Sequence, residues 1–178
     1  KKILLVNLSK GRTGDLNSKL LGMIFVMKFQ AAAMSRANIP EKDREDFCLY
    51  VDEFQNFATD SFATILSEDR KYGLNLTIAN QYVSQMSETV RDAVFGNVGS
   101  LCAFRVGAED AEYLEKQFTP VFSVKDLMNI DNLNACVKLL LNGRPAKPFN
   151  IKEDFPPRGN PTMIDSLKHL SYLKYGGD

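Results

Sequence analysis

Short apolar runs alternate with longer segments along the first two thirds of the chain. Four of the runs are bounded by polar residues, which predicts buried strands at residues 3–8, 47–51, 74–79 and 100–106. The longer segments predict helices near residues 15–36, 60–72, 88–95, 108–118 and 123–130. This alternation predicts an α/β fold with a mostly parallel sheet flanked by helices.

The last third of the chain has a different pattern. Residues 135–141 and 147–151 predict a late β-hairpin around Asn142-Gly143, a dipeptide that favours a tight turn. From Phe155 the chain is rich in proline, and a short amphipathic helix follows near residues 163–172. We therefore divide the chain into an α/β domain, residues 1–154, and a Pro-rich linker with a short C-terminal helix, residues 155–178.

The first predicted helix has a wide apolar stripe, which predicts that it is mostly buried and N-capped by Asp15 or Asn17. Its longest apolar run, residues 20–29, is interrupted by Gly22 and Lys28. No uninterrupted run therefore reaches the roughly 18 residues that a membrane span needs.

The composition is typical of a globular protein of about one domain, with 178 residues, 44% hydrophobic and 25% charged. Lys+Arg and Asp+Glu are both 22, so the net charge is zero and does not favour binding to nucleic acid or to a membrane. Only a local basic patch would provide such a binding surface. The three cysteines are far apart, which argues against a structural zinc site and fits a reducing compartment. The chain begins without Met inside an apolar run, from which we expect a piece of a longer protein.

Two adjacent carboxylates, Asp52 and Glu53, directly follow the predicted strand 47–51. Nucleotide hydrolysis gives one reason for this pattern, because the first acid can hold Mg²⁺ and the second can polarise the attacking water, as in a Walker B motif. The alternative is that the acids only cap the next turn. The motif alone does not decide between the two.

Two further polar side chains follow the next helix and strand. Arg70 lies at the end of the predicted helix 60–72, where a cation either complements the helix dipole or reaches a neighbouring subunit as an arginine finger. Gln81 lies just beyond the strand 74–79, where ligands of parallel sheets bind, and is either a γ-phosphate sensor or an ordinary loop amide.

The sequence lacks a recognisable phosphate loop. Residues 9–14 (SKGRTG) do not have the G-x-x-x-x-G-K-[ST] spacing of Walker A, and no other stretch has it. The single histidine, His169, lies in the tail helix with no second metal-type ligand nearby in sequence, which argues against a catalytic or metal role.

Three motifs together resemble a known family. They are YVDEFQNF (50–57), SEDRKYGL (67–74) and LTIANQY (76–82). In this order and spacing they resemble the C-terminal motor half of the HerA/FtsK superfamily and are most similar to the TraG/TraD-type coupling ATPases of conjugation and type IV secretion. The resemblance extends from about residue 2 to residue 150.

The resemblance implies a RecA-like P-loop NTPase core that assembles as a ring, usually a hexamer, and moves DNA through its channel. Transferred by position, Asp52 would hold Mg²⁺, Glu53 would activate water, Arg70 would be the arginine finger, Gln81 the γ-phosphate sensor and Arg105 a residue at the subunit boundary.

The family's Walker A lies N-terminal to everything in this chain. We therefore expect the intact protein to use ATP and Mg²⁺, whereas this chain alone should be inactive and bind neither tightly. The strand that carries Walker A would also be missing from the sheet, which leaves an open edge.

In such rings DNA is contacted by loops that face the channel, which makes Lys10 and Arg12 candidates for phosphate contacts; the alternative is a solvated turn. We expect a cytoplasmic, bacterial-type protein and leave membrane association of the full-length protein open. Two other functions remain: a non-catalytic module that docks a secretion substrate or relaxase-type partner, and a RecA-type helicase.

Overall fold

The computed structural model describes residues 3–58, 66 and 69–176, and only the backbone of residues 69 and 70. In this part of the chain the α-helices are α1 (Lys10–Thr13), α2 (Asp15–Met34), α3 (Glu88–Asn97), α4 (Ala108–Phe118), α5 (Val124–Met128) and α6 (Pro161–Tyr175). The strands are β1 (Phe47–Val51), β2 (Leu74–Ile78), β3 (Leu101–Ala103), β4 (Asn134–Lys138), β5 (Leu140–Leu141), β6 (Arg144–Pro145) and β7 (Phe149–Lys152).

β1 and β2 form a parallel pair, and β1 has the predicted bounds. Their register pairs Phe47 with Leu74 and Val51 with Ile78, so the two strands begin and end together. The chain enters β2 through Gly73, whose φ of 75° is a conformation that glycine adopts readily and that ends the preceding turn, as predicted. Most of the helix predicted at residues 60–72 lies outside the described residues; its last turn is a 3₁₀-helix, Asp69–Tyr72.

The later strands are antiparallel. β4 pairs with β3 on one side and with β7 on the other, and β5 and β6 form a separate small hairpin. Asn142 and Gly143 have φ values of 50° and 75°, which is the backbone that an Asn-Gly turn favours. The predicted late hairpin is therefore confirmed.

Two apolar clusters form the core. The first contains Val26 of α2, Phe54, Met86, Val90 and Val94, and the second surrounds Phe118 and joins β3 and β4 to α4 and α5. Val83 packs against both clusters. The segment that follows β2 therefore connects the two halves of the core.

The strand predicted at residues 3–8 is not formed. These residues are extended, belong to no strand in the described part of the chain and are largely exposed, with Ile3 at 90% and Leu5 at 86%. An apolar run becomes a strand only where a neighbouring edge takes up its N–H and C=O groups. Residues 3–8 have the apolar pattern of a strand, but they do not pair with any strand in the described part of the chain.

Helix α2 has the predicted length but not the predicted burial or cap. Only four of its residues are buried, namely Ser18, Gly22, Val26 and Ala33. Its N-cap is Gly14, and Asp15 is its first residue, hydrogen-bonded by Lys19 and Lys10. These two ammonium groups hold the pKa of Asp15 below its usual value. The Asp15 carboxylate therefore forms ion pairs with Lys10 and Lys19 instead of capping the helix.

Asp15–Asn38 is 24 residues long and contains an 18-residue window with a mean hydropathy of 1.2, so it has the length and composition to cross a membrane, contrary to the expectation from uninterrupted runs. Core helices and signal sequences meet the same criterion, so this property assigns the segment to no compartment.

We expect Phe118→Ala to lower the free energy of unfolding by about 3–5 kcal/mol, because Phe118 is fully buried in the second cluster and its removal leaves a cavity. Phe155→Ala is the matched control, since that ring is 80% exposed. Chemical denaturation measures both. Equal losses in the two variants would contradict the assignment of the core.

Candidate functional site

The predicted acids and the predicted sensor meet at one edge of the parallel pair. Asp52 and Glu53 follow β1, and Gln81 follows β2 by three residues. The ladder continues past the strand ends, since Ala79 N donates to Val51 O at 2.9 Å and Phe54 N donates to Ala79 O at 3.0 Å. The two segments therefore leave the sheet side by side.

The carboxylate of Glu53 is held by two amides. Gln81 Nε2 donates to its Oε1 and Gln55 Nε2 donates to its Oε2, both at 2.7 Å. Glu53 also has φ 51° and ψ 44°, a left-handed conformation that costs a non-glycine residue roughly 1–2 kcal/mol. Strain of this kind persists where the surroundings over-determine it and is common at functional sites.

Asp52 lies differently from Glu53. It is exposed, and its Oδ1 accepts the backbone N–H of Glu53 at 2.9 Å, so it supports the turn that the alternative reading proposed. The described residues contain no group of three or more His, Cys, Asp or Glu side chains that could hold a metal. A hard cation at Asp52 would take most of its ligands from water and phosphate, which is the way proteins usually bind Mg²⁺.

Two amide side chains beside the site were missed by the sequence analysis. Gln55 holds Glu53, and Asn80 Oδ1 accepts the Gln55 backbone N–H at 3.2 Å. The Oε1 atom of Gln55 is buried and has no donor among the described residues. The sequence signal that could have identified Gln55 and Asn80 was their position, because each lies within two residues of a predicted site residue.

The segment after Glu53 is fixed against the first two helices. Phe54 is fully buried, and the ring of Phe57 covers Gly22 so closely that a Cβ there would lie 2.1 Å from the ring. Lys10 Nζ donates to Asn56 Oδ1 at 3.2 Å. The predicted DNA-contact turn therefore lies next to the candidate site.

The other predicted residues are distributed around this edge. Arg12 is exposed on α1 and borders a shallow depression on α2. Arg105 is exposed just beyond β3 and donates from Nη2 to Asn132 Oδ1 at 3.2 Å. The backbone of Arg70 belongs to the 3₁₀-helix Asp69–Tyr72, but its side chain lies outside the described part, so its contact with the site remains a prediction.

A cavity of about 1390 Å³ separates β2 from β3. Every residue of 74–83 and of 97–107 lines it, including Gln81 and Arg105. β1 pairs with one edge of β2 and β4 with one edge of β3, so the remaining edges face each other without a strand between them in the described residues. The sheet is open at the position of this cavity.

Comparison with known proteins agrees with the sequence resemblance. The family model TraG-D_C, described as the TraM recognition site of TraD and TraG, matches residues 46–118. This segment contains Asp52, Glu53, Arg70, Gln81 and Arg105. No curated protein matches the chain.

Two solved structures have a similar fold. The unbound bacterial conjugative coupling protein TrwBdeltaN70 has a TM-score of 0.57 at 18% identity over 72% of this chain. VirB4 of Thermoanaerobacter pseudethanolicus has a TM-score of 0.55 at 20% identity over 83% of this chain. The chain spans 36% and 40% of these two proteins, respectively. At this identity the likeness shows the fold, and the predicted RecA-like α/β class is confirmed.

The order of the motifs, the fold and the family match therefore agree: residues 46–118 match the TraG-D_C family model, and the fold is similar to that of a conjugative coupling protein.

Proposed function

We propose that this chain is the part of a conjugation or type IV secretion motor that carries the acid and the sensor for ATP hydrolysis. The reaction is the conversion of ATP and water to ADP and phosphate. The hydrogen bond between Gln81 and Glu53 carries the proposal, because it joins two residues 28 positions apart that the motifs had assigned to the same reaction.

In this proposal Glu53 acts as the general base toward the attacking water. Its half-buried carboxylate accepts hydrogen bonds only from amides in the described residues, and it is held rigidly by the backbone on either side. General base catalysis contributes about 10²–10⁴-fold to rate.

The Gln81 side-chain amide could donate to either of two acceptors, the Glu53 carboxylate or a γ-phosphate oxygen. Without nucleotide its N–H donates to Glu53. A γ-phosphate oxygen within reach would compete for the Gln81 amide, either by accepting its second N–H or by turning the group away from Glu53, so binding and loss of that phosphate would alter the environment of Glu53. This competition is how the proposed sensor reports the state of the nucleotide.

A bound Mg²⁺ would neutralise charge on the phosphates, and Asp52 supplies an exposed carboxylate of the right chemistry to hold it, directly or through water. The chain has no Walker A loop of its own. The open edges of β2 and β3 support our proposal that a strand of the longer protein lies between them and brings this loop next to Gln81. The chain alone is therefore inactive.

The proposed assembly is a ring, usually a hexamer, that moves DNA. Arg70 would reach the nucleotide of the adjacent subunit, and Arg105 would lie near the subunit boundary. Lys10 and Arg12 would contact DNA phosphates from the turn beside the site.

A docking function is a second candidate, because the matching family model is described as a TraM recognition site. In that case residues 46–118 would bind a TraM-type relaxosome protein, and the acids would be dispensable for it. If the Glu53→Gln variant still binds the TraM-type protein and keeps full ATPase activity, docking would be favoured as the only function of residues 46–118.

In the full-length protein, Glu53→Gln should keep ATP binding and lower turnover by about 10²-fold or more, because the amide cannot take a proton from water. A fluorescent ATP analogue measures binding, and phosphate release measures turnover. Glu112→Gln on the exposed face of α4 is the matched control. Unchanged turnover in Glu53→Gln would remove Glu53 from the mechanism.

Arg70→Ala should abolish hydrolysis, since arginine fingers contribute about 10³–10⁵-fold, while single subunits still bind ATP. If Arg70 acts on the adjacent subunit, mixing Arg70→Ala with Glu53→Gln subunits should restore activity at interfaces that combine the two intact residues. Mixing Arg70→Ala with the double variant Glu53→Gln/Arg70→Ala gives no such interface and is the control. No recovery at any ratio would refute action between subunits.

Lys10→Ala and Arg12→Ala should each weaken DNA binding and reduce the slope of log affinity against log salt by about one, because each would remove one phosphate contact. Fluorescence anisotropy at several salt concentrations measures the slope. Lys168→Ala in the tail helix is the control. A slope that both variants leave unchanged would favour the solvated turn.

A further inference from the structure

Asp110 is the one charged residue that is buried in the described part of the chain, with 5% of its surface exposed. It lies in the first turn of α4. A buried carboxylate is destabilising unless hydrogen bonds compensate for the lost hydration. Its partners therefore indicate why the fold retains it.

The partners of Asp110 are two consecutive backbone amides from a distant segment. Val83 N donates to its Oδ2 and Ser84 N donates to its Oδ1, both at 3.0 Å. These are the first two residues of the 3₁₀-helix Val83–Gln85, whose N-terminal N–H groups have no partner within that helix. Asp110 thus caps a helix that lies about 26 residues away in sequence.

This cap lies two residues beyond Gln81. On its upstream side, Gln81 is fixed by the hydrogen bonds that join Ala79 to β1. On its downstream side, the fixed point is the pair of amides held by Asp110. The position of the Gln81 amide relative to Glu53 therefore depends on both anchors.

The element that bears Asp110 also borders the proposed subunit boundary. α4 begins three residues after Arg105, and its Tyr113 donates to Asp92 of α3 at 3.0 Å. The guanidinium of Arg91 lies 4.6 Å from the centre of the Tyr113 ring. A shift of α4 would thus be passed to the segment after β2 through Asp110.

We propose that Asp110 is a positioning residue that sets the Gln81 amide against Glu53 by capping the 3₁₀-helix Val83–Gln85, and so links the segment after Arg105 to the hydrolytic site. The inference rests on the proposed function, because it assigns Asp110 a part in ATP turnover through Gln81.

The test uses the full-length protein and the variants Asp110→Asn, Gln81→Ala and their double. An amide at position 110 can accept only one of the two N–H groups and presents its own N–H to the other. We expect Asp110→Asn to lower kcat about 10- to 100-fold with little change in ATP affinity, as small misplacements of catalytic groups do. The double variant should be no slower than Gln81→Ala alone.

Asp126→Asn is the matched control, because Asp126 also caps a helix, through Ser123 at the start of α5. It should lower stability without changing kcat. A loss of kcat in Asp110→Asn that multiplies with the loss in Gln81→Ala would overturn the proposal, since Asp110 would then act independently of Gln81. Full activity of Glu53→Gln would instead refute the proposed function, so the two failures are distinguishable.

Two measurements keep the test decisive if Asp110→Asn folds poorly. Val83→Ala controls for the contacts of the Val83 side chain with both clusters. Val83→Pro removes one of the two donors while Asp110 stays intact, and Tyr82 already has the extended backbone that precedes proline (φ −135°, ψ 127°). It should give the same loss of kcat. In nucleotide-free protein, amide hydrogen exchange at Ser84 should be faster in Val83→Pro and unchanged in Asp126→Asn; unchanged exchange and kcat in Val83→Pro would refute the cap.

Discussion

The parallel pairing of β1 with β2 is the constraint on which the candidate site depends. Because both strands end together, the polar residues that follow them leave the sheet at the same edge. The backbone ladder extends one step beyond the strands through Ala79 and Phe54, which brings Gln81 within hydrogen-bond distance of Glu53. A shift of this register by one residue would turn the side chains to the opposite face and separate the pair.

The polar groups near this edge are satisfied mainly by long-range contacts. Glu53 keeps a left-handed backbone and accepts one amide from its own loop and one from the segment after β2. Asp110 completes the arrangement from α4. Such contacts compensate for strain and burial only when all of them are formed, which makes the edge rigid and sensitive to the elements around it.

Exposed apolar surfaces and open strand edges occur together in this chain. Helix α2, residues 3–8 and the facing edges of β2 and β3 each have groups that are normally covered by a neighbouring element. The chain spans less than half of TrwBdeltaN70 and of VirB4 of Thermoanaerobacter pseudethanolicus. The strand of a longer protein proposed above would account for the cavity between β2 and β3.

Local patterns in the sequence were sufficient to predict the elements whose formation depends mainly on their own residues, such as helix α4 and the turn of the late hairpin. Periodicity alone gave α4 its exact bounds, and Asn142-Gly143 marked the hairpin. The motifs likewise identified the segment that contains Glu53 and Gln81. Tertiary structure alone decided that residues 3–8 are not a strand, that Gln55 and Asn80 join the site, and that Asp110 caps a distant helix. Each of these depends on which edge or backbone amide lies nearby in space, and spacing along the chain does not encode that distance.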